Sequence, residues 1–244
     1  MGKIKQIRPH IRTILNHISF RMLYGRIVKE HQYLSSLHYN LRVVGWDDFT
    51  FFPDGFAANA SLLYLLFKIL QKTKPKTILE LGSGQSTKFT SRYVKENESS
   101  EITILEDNEE WYEKLKPDIF TSNKLRFIYS PLEQTKFGKR KCFWYSTKIL
   151  AEEDKTYDFI LVDGPFGTRR NSRIGIANFI PKIIDEKNFI IVFDDAGRIG
   201  EQDTIKVIKK TFRKKSMPYV EFHVYGSKKQ TCLISPNFSF LGTN

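Results

Sequence analysis

The glycine-rich stretch Ile78-Leu79-Glu80-Leu81-Gly82-Ser83-Gly84-Gln85-Ser86-Thr87 decides the fold of this 244-residue chain. An apolar strand ends within it, and Gly82 and Gly84 allow the backbone to turn sharply and to approach a ligand closely. The stretch lacks the third glycine or alanine of the dinucleotide-binding fingerprint, because Thr87 stands at that position, and it lacks the Gly-Lys-Ser/Thr ending of a P-loop. It therefore predicts a buried strand followed by a tight turn that can bind a ligand.

Beyond this turn, short β-rich runs alternate with amphipathic helical segments. The strand candidates are Thr77–Leu81, Ile102–Glu106, Leu125–Tyr129, Tyr157–Asp163 and Phe189–Asp194. The helical candidates between them are Thr87–Lys95, Asn108–Leu115, Ser146–Glu153 and Ile174–Ile184. Alternation of this kind predicts βαβ units and an α/β fold, with a mainly parallel sheet and helices on both faces.

The two ends of this region show further elements. After a basic helical segment, Thr204–Lys215, the runs Tyr219–Tyr225 and Thr231–Ile234 flank the turn residues Gly226–Lys229. This pattern predicts a hairpin, so the sheet should end in an antiparallel pair. Before the first strand, Asp54–Gln71 is expected to form a helix with Asp54 as its N-cap.

Composition limits the class of protein. The chain has 39 Lys+Arg and 27 Asp+Glu, a net charge of +12, and 41% hydrophobic residues, which excludes a disordered or fibrous protein. Its two cysteines argue against a disulfide scaffold and fit a reducing, cytoplasmic compartment. We expect no signal peptide and no membrane-spanning segment, because no apolar run is long enough.

The positive charge is concentrated near the N-terminus. Residues 1–45 carry eight basic side chains against Glu30 alone, which gives +7. Apolar residues at helical spacing accompany them: Ile4, Ile7, Ile11, Ile14, Leu15 and Ile18. We therefore divide the chain into a basic N-terminal helical extension, 1–53, and a main domain, 54–244. The extension can lie on an anionic membrane surface, or it can dock on the main domain or on a second subunit of a homo-oligomer.

Acidic residues end three of the predicted strands. Glu106 lies 22 residues beyond Gly84, where the second strand of such a sheet presents an acid to a ribose. Asp163 ends the fourth strand, and Asp194 and Asp195 end the fifth. Carboxylates brought together at the strand ends repel one another unless a bound cation or a proton reduces their negative charge. Carboxylate oxygens are ligands that Mg²⁺ prefers. Alternatively, Asp194 or Asp195 caps or anchors the loop that follows.

Together, the turn from Glu80 to Gly84, Glu106 and Asp163 resemble a class I S-adenosylmethionine-dependent methyltransferase over Lys76 to Pro236. The resemblance implies a Rossmann-like seven-stranded sheet of order 3-2-1-4-5-7-6. In that family the glycine turn wraps the methionine part of the cofactor, the acid after strand two binds the ribose, and the segment after strand three borders the adenine. The implied cofactor-binding residues are Glu80, Gly82, Ser83, Gly84, Ser86, Thr87, Glu106, Asp107, Leu132 and Asp163.

The three aspartates are similar to the metal ligands of metal-dependent O-methyltransferases. That similarity implies Mg²⁺ or another divalent cation at Asp163, Asp194 and Asp195, where it lowers the pKa of an acceptor hydroxyl. The implied catalytic residues are Asp163, Asp194 and Arg198, and Arg173 and Arg198 would bind anionic groups of the substrate. The usual lysine base after strand four is absent, because that loop carries Arg169 and Arg170, so the base is unassigned.

The resulting expectation is a metal-assisted O-methyltransferase acting on a sugar, a surface glycan or another small anionic acceptor. The set Asp163-Gly164-Pro165, Arg173 and Asp194-Asp195-Ala196-Gly197-Arg198 resembles bacterial methyltransferases associated with surface-polysaccharide genes. One alternative is an N-methyltransferase acting on nucleic acid, because Asp163–Phe166 differs by one residue from D-P-P-F/Y. Another is a non-catalytic, methyltransferase-like membrane or assembly subunit.

A second basic cluster lies between the third and fourth predicted strands. It consists of Lys136, Lys139, Arg140 and Lys141 and precedes Phe143-Trp144-Tyr145. Interleaved cations and aromatic rings suit the binding of a phosphate, sugar or nucleobase. A solvated loop with an aromatic anchor is the alternative interpretation.

Overall fold

A computed structural model describes residues 2–46, 48, 58–119, 122–151, 155–167 and 170–243, with side chains from residue 23 onward except at 118, 147 and 151. Its strands are β1 Thr77–Leu81, β2 Glu101–Glu106, β3 Leu125–Tyr129, β4 Glu133–Phe137, β5 Arg140–Trp144, β6 Phe159–Val162, β7 Ile190–Phe193, β8 Val220–Tyr225 and β9 Lys229–Ile234. Its α-helices are α1 Gly2–Val43, α2 Ala60–Thr73, α3 Gln85–Glu96, α4 Glu109–Leu115, α5 Thr147–Ala151, α6 Ile180–Ile183 and α7 Ile199–Lys214.

Seven strands form one sheet in the order β3-β2-β1-β6-β7-β9-β8. The first five of these run parallel, and β9 pairs antiparallel with both β7 and β8. When β4 and β5 are left out of the numbering, this order is the expected 3-2-1-4-5-7-6. The prediction of an α/β, Rossmann-like methyltransferase sheet with a terminal hairpin is confirmed.

Two apolar layers cover the sheet. Successive side chains of a strand point to opposite faces, so Ile78 joins the layer with α2 and α3, whereas Leu79 and Leu81 join the layer with α6 and α7. Glu80 shares the face of Ile78 and is therefore buried beneath α3. The alternation within one short strand thus places a carboxylate directly under the glycine turn.

Several boundaries differ from those expected. Helix α2 begins at Ala60, capped by Asn59, whose side chain accepts a hydrogen bond from the N–H of Leu62; Asp54 lies outside the described residues. The predicted helix Ile174–Ile184 consists of a 3₁₀ helix, Ile174–Asn178, followed by the short α6. Pro181 has no backbone N–H, so it cannot extend the 3₁₀ helix, but it is tolerated at the start of α6.

Strands β4 and β5 form a separate two-stranded hairpin that was not predicted. Strand β4 carries mostly exposed polar residues, and β5 ends in the consecutive apolar residues Cys142, Phe143 and Trp144, so neither shows an alternation of apolar and polar residues in the sequence. The signal that marks it is Gly138, which adopts a positive φ of 56° in the short turn between the strands. The second basic cluster therefore lies on a β-hairpin and not on an irregular loop.

The C-terminal half of α1 packs against the main domain. Leu37, Leu41 and Trp46 are buried in the same apolar layer as Leu62 and Leu66 of α2. The expected boundary at residues 53 and 54 falls among residues that the structure does not describe. Within the described residues, no helix combines the length and the apolar character needed to cross a lipid bilayer.

Candidate functional site

A cavity of about 770 Å³ opens at the carboxyl ends of β1, β2, β6 and β7. Ligands bind at this edge in open parallel sheets, because the loops on either side of the strand ends diverge there. Its wall includes Gly82, Ser83, Gly84, Ser86, Glu106, Asp107, Asp163, Asp195 and Arg198 from the predicted site, together with Trp111 and Lys228. A second cavity of about 650 Å³ shares Asp107 and Phe166 with the first and is lined in addition by Leu132.

The two glycines of the turn have different tasks. Gly82 adopts a φ of +83°, and a Cβ there would lie 2.8 Å from the backbone nitrogen of Gly164. A Cβ on Gly84 would meet no protein atom within 4 Å, because Gly84 faces the open space of the cavity. Gly82 is therefore required by backbone packing, whereas Gly84 leaves space for a ligand.

Glu80 supports the turn from below and does not line the cavity. Its carboxylate accepts hydrogen bonds from the hydroxyls of Ser86 at 2.6 Å, Thr87 at 2.9 Å and Thr90 at 2.6 Å. Complete burial raises the pKa of Glu80 to about 7, although these hydroxyls oppose the shift. Thr87 also lies away from the cavity and accepts a hydrogen bond from the N–H of Gly84 at 2.9 Å. Both residues hold the start of α3 against β1.

Glu106 joins the turn to the end of β2. One carboxylate oxygen accepts from the N–H of Ser83 at 2.8 Å and from its hydroxyl at 2.6 Å, and the other accepts from the N–H of Asn108 at 2.9 Å. Burial, and secondarily the charge of Glu106, raises the pKa of Asp107 to about 6. Trp111, which the sequence analysis missed, donates its indole N–H to the carbonyl of Ser83 at 2.9 Å.

The three aspartates come together as predicted from the strand order. One carboxylate oxygen of each of Asp163, Asp194 and Asp195 lies within 4.8 Å of the others. Asp194 is completely buried, and its Oδ2 atom has no hydrogen-bond partner, whereas Oδ1 accepts from Gln230 at 2.8 Å. Burial, and then the charge of Asp163, raises the pKa of Asp194.

Basic side chains of the chain itself surround this cluster. Lys228 Nζ lies 3.6 Å from Asp194 Oδ2 and 4.0 Å from Asp195 Oδ1. Arg198 Nη1 lies 2.9 Å from Asp195 Oδ2. The mutual repulsion of the aspartates is therefore reduced by cations that the protein supplies. A sequence signal for Lys228 exists, because β9 runs antiparallel to β7 and the turn before β9 must lie beside the end of β7.

Arg173 lines the cavity, so its binding of an anionic group of the substrate stays a prediction, and its contacts show a second role. It is 3% exposed, and its guanidinium donates to the backbone carbonyls of Asp163, Pro165 and Asp194. Its Nη2 atom lies 3.3 Å from a carboxylate oxygen of Asp163. Arg173 therefore ties the ends of β6 and β7 together at the wall of the cavity.

Of the alternative roles of Asp194 and Asp195, that of a helix N-cap is wrong, whereas that of an anchor for the following loop fits Asp195. The N-cap of α7 is Arg198, and the backbone N–H of Arg198 donates to the carbonyl of Asp195. Asp195 has a φ of +53°, in the left-handed region that aspartate adopts more readily than most residues with a side chain.

No protein-family model matches the chain, and no curated protein matches it. Solved structures do match. One is an O-methyltransferase from Bacillus cereus in complex with SAH, with a TM-score of 0.55 and 14% identity, covering 87% of this chain and 100% of that one. Another is the O-methyltransferase TomG from Streptomyces achromogenes, involved in tomaymycin synthesis and in complex with SAM, with a TM-score of 0.52 and 14% identity, covering 84% and 90% of the two chains.

These similarities concern the arrangement of the backbone and show the fold. The chain therefore has the Rossmann-like fold of the S-adenosylmethionine-dependent O-methyltransferases.

Proposed function

We propose that this protein is an S-adenosylmethionine-dependent methyltransferase that methylates a hydroxyl group of a small anionic acceptor, such as a sugar or a surface glycan, with the assistance of a divalent cation. The observation that carries the proposal is that one cavity is lined both by the glycine turn with Glu106 and by Asp163 and Asp195, whose carboxylates cluster with that of the buried Asp194. A cofactor-binding half and an acceptor-binding half thus face each other.

The cofactor half suits the shape and the polar groups of S-adenosylmethionine. The space above Gly84 would hold its methionine part. The carboxylate of Glu106 would exchange part of its present hydrogen bonds from Ser83 and Asn108 for those of the ribose hydroxyls. Asp107 and Leu132 lead from this point into the second cavity, where the adenine would lie. When bound, the cofactor supplies an electrophilic methyl group on a sulfonium.

The acceptor half suits an anionic molecule that carries a hydroxyl. Arg198 and Lys228 line the first cavity beside the aspartates, and Lys141 and Arg170 line the second. Phe166 contributes an apolar surface to both. Charged donors of this kind bind a carboxylate or phosphate and leave a neighbouring hydroxyl free to face the methyl group.

The aspartates also suit a divalent cation. Their oxygen atoms are close enough to share one ion, and the buried Asp194 Oδ2 atom has no hydrogen-bond donor. Asp163, Asp194 and Asp195 would hold the ion, which would lower the pKa of the acceptor hydroxyl. Arg173 fixes the ends of β6 and β7 so that the carboxylates keep their separation.

The first experiment is calorimetry with S-adenosylhomocysteine, followed by transfer of a labelled methyl group from S-adenosylmethionine. Suitable acceptors are glucuronate, galacturonate and 3,4-dihydroxybenzoate, each measured with Mg²⁺ and with EDTA. We expect binding, and turnover that EDTA abolishes. Absence of binding would instead support the non-catalytic alternative, and label in nuclease-sensitive material would support methylation of nucleic acid.

The metal is tested by Asp163→Ala, with Asp185→Ala as the control. Asp185 is an exposed acid near the amino ends of β6 and β7. We expect Asp163→Ala to lose turnover and Asp185→Ala to retain it. Full turnover of Asp163→Ala that is insensitive to EDTA would contradict metal assistance.

A further inference from the structure

Glu30 is the single acidic residue among the first 45 residues, and it points into the main domain. Its Oε1 atom accepts a hydrogen bond from the backbone N–H of Ser61 at 3.0 Å, at the start of α2. Its Oε2 atom accepts from the backbone N–H of Ser227 at 2.7 Å and from the side-chain amide of Asn59 at 3.1 Å. One carboxylate of α1 thus connects to α2 and to the turn between β8 and β9.

The turn between β8 and β9 fits closely over Glu30. A Cβ on Gly226 would lie 2.1 Å from Oε2 of Glu30 and 2.5 Å from Oγ of Ser61. Only a glycine allows the backbone to come this near to the carboxylate. The next two residues of the turn are Ser227, which donates to Glu30, and Lys228, which faces Asp194.

A second route leads from Glu30 to Asp194 through buried amides. Asn59 donates to Glu30, and its Oδ1 atom accepts from Gln230 at 3.1 Å. The same side-chain nitrogen of Gln230 donates to Asp194 Oδ1 at 2.8 Å. Asn59, Gln230 and Asp194 are all buried, and in such an environment a network with matched donors and acceptors is rigid.

Both routes end on the same ion pair, that of Lys228 and Asp194. We propose that Glu30 is a positioning residue, which holds Lys228 against Asp194 and thereby sets the acceptor half of the cavity. The effect of Glu30 on catalysis rests on the proposed methyl transfer. The structural part of the inference, that Glu30 holds Lys228 against Asp194, does not depend on it. It makes the C-terminal half of α1 a part of the active unit. The hydrogen bonds described above for Gly84 and Glu106 connect the cofactor half to Ser83, Thr87 and Asn108 and not to this network.

The decisive variant is Glu30→Gln in the full chain, with Glu113→Gln as a control that removes one exposed carboxylate. A glutamine side chain has a single acceptor oxygen for the three donors that meet Glu30. We expect amide hydrogen exchange in peptides spanning residues 224–231 and 192–197 to become about tenfold faster or more. Exchange in peptides spanning 77–84 and 101–107, and the affinity for S-adenosylhomocysteine, should stay at the wild-type level.

A functional readout separates positioning from general support of the fold. With an acceptor that gives turnover, Glu30→Gln should lower kcat and leave the KM for S-adenosylmethionine unchanged. Combined with Lys228→Met, it should cause little further loss, because both changes act on the same contact. Unchanged exchange at 224–231, faster exchange throughout the chain, or multiplicative losses in the double variant would each overturn the proposal.

Two further outcomes are distinguishable. If Glu30→Gln does not fold, Gly226→Ala disturbs the same contact from the side of the turn and should give the same local increase in exchange. If the wild-type protein binds no S-adenosylhomocysteine, the proposed methyl transfer fails, and the exchange measurement alone decides whether Glu30 positions Lys228.

Discussion

At the scale of single residues, the two glycines of the turn can be separated by experiment. Gly82→Ala forces a side chain into a positive φ and against the backbone of Gly164, so it should lower the free energy of unfolding by about 1–3 kcal/mol. Gly84→Val places its side chain in the open cavity, so it should leave this free energy within about 1 kcal/mol of wild type and abolish binding of S-adenosylhomocysteine.

Urea denaturation and calorimetry measure these two properties independently. A Gly84→Val protein that binds S-adenosylhomocysteine with wild-type affinity would contradict the assignment of this space to the cofactor. Equal destabilisation of the two variants would contradict the different tasks of the glycines.

Glu80 makes a contribution to stability that depends on pH. Burial raises the pKa of Glu80 from its ordinary value of 4.5 to about 7 in the folded chain. Between these pH values the folded chain binds more protons than the unfolded chain, so the free energy of unfolding falls as pH rises from about 4.5 to about 7. Below this window both states are protonated, and above it the loss is complete. The side chain of Glu80→Gln does not titrate. The free energy of unfolding of this variant should therefore fall less than that of wild type over this pH range, and the difference should be up to a few kcal/mol.

Thermal denaturation at several pH values across the window tests this expectation. Glu113→Gln, which alters an exposed carboxylate, serves as the control and should follow the wild-type curve. If Glu80→Gln has the same pH dependence as wild type, the pKa of Glu80 is not raised as described.

At the scale of elements, Arg173 joins the ends of β6 and β7. Arg173→Met removes its hydrogen bonds to the carbonyls of Pro165 and Asp194 and its ion pair with Asp163. Removal of one partner from a buried charged group is strongly destabilising, so we expect the free energy of unfolding to fall by about 3 kcal/mol or more.

The matched control is Arg170→Met, which removes an arginine whose side chain is 69% exposed and which pairs with Asp203 at 2.8 Å. Exposed ion pairs contribute little, so this variant should lose less than about 1 kcal/mol. Urea denaturation compares the two variants. Similar losses would show that Arg173 is not a structural link between these strands.

At the scale of the whole molecule, charge and exposed apolar surface coincide on α1. Residues 1–45 hold +7 of the net +12, and Leu23 and Ile27, on either side of Arg26, are 58% and 45% exposed. We propose that this part of the helix contacts an anionic membrane surface. Co-sedimentation with phosphatidylglycerol vesicles should therefore detect binding that weakens with salt and is absent with phosphatidylcholine alone.

Replacement of Arg26 and Lys29 by glutamine should weaken vesicle binding by about thirtyfold, because each basic residue near the surface contributes about 1 kcal/mol. The control replaces Lys206 and Lys210 of α7 and removes the same charge elsewhere. Equal effects of the two sets would contradict a specific role of α1. If the protein sediments as a dimer and does not bind vesicles, the result would favour docking of α1 on a second copy of the chain.

The sequence by itself determined the sheet and the edge at which the site lies. Periodicity and strand-ending residues are local properties, and parallel strands that begin and end in register bring Gly82, Glu106 and Asp163 to one edge whatever the packing around them. The roles assigned to these residues stay predictions, as does metal binding at the aspartates.

Only the tertiary structure decided which groups support and neutralise that site. Lys228, Gln230 and Glu30 reach Asp194 and its surroundings from a hairpin turn, an antiparallel strand and a distant helix. Contacts between such elements depend on how the layers pack against the sheet, and no local spacing in the sequence records that packing. The sequence identifies Glu80 as part of the turn. Its position beneath the cavity and its three hydroxyl donors depend on how α3 packs against β1, so they are visible only in the tertiary structure.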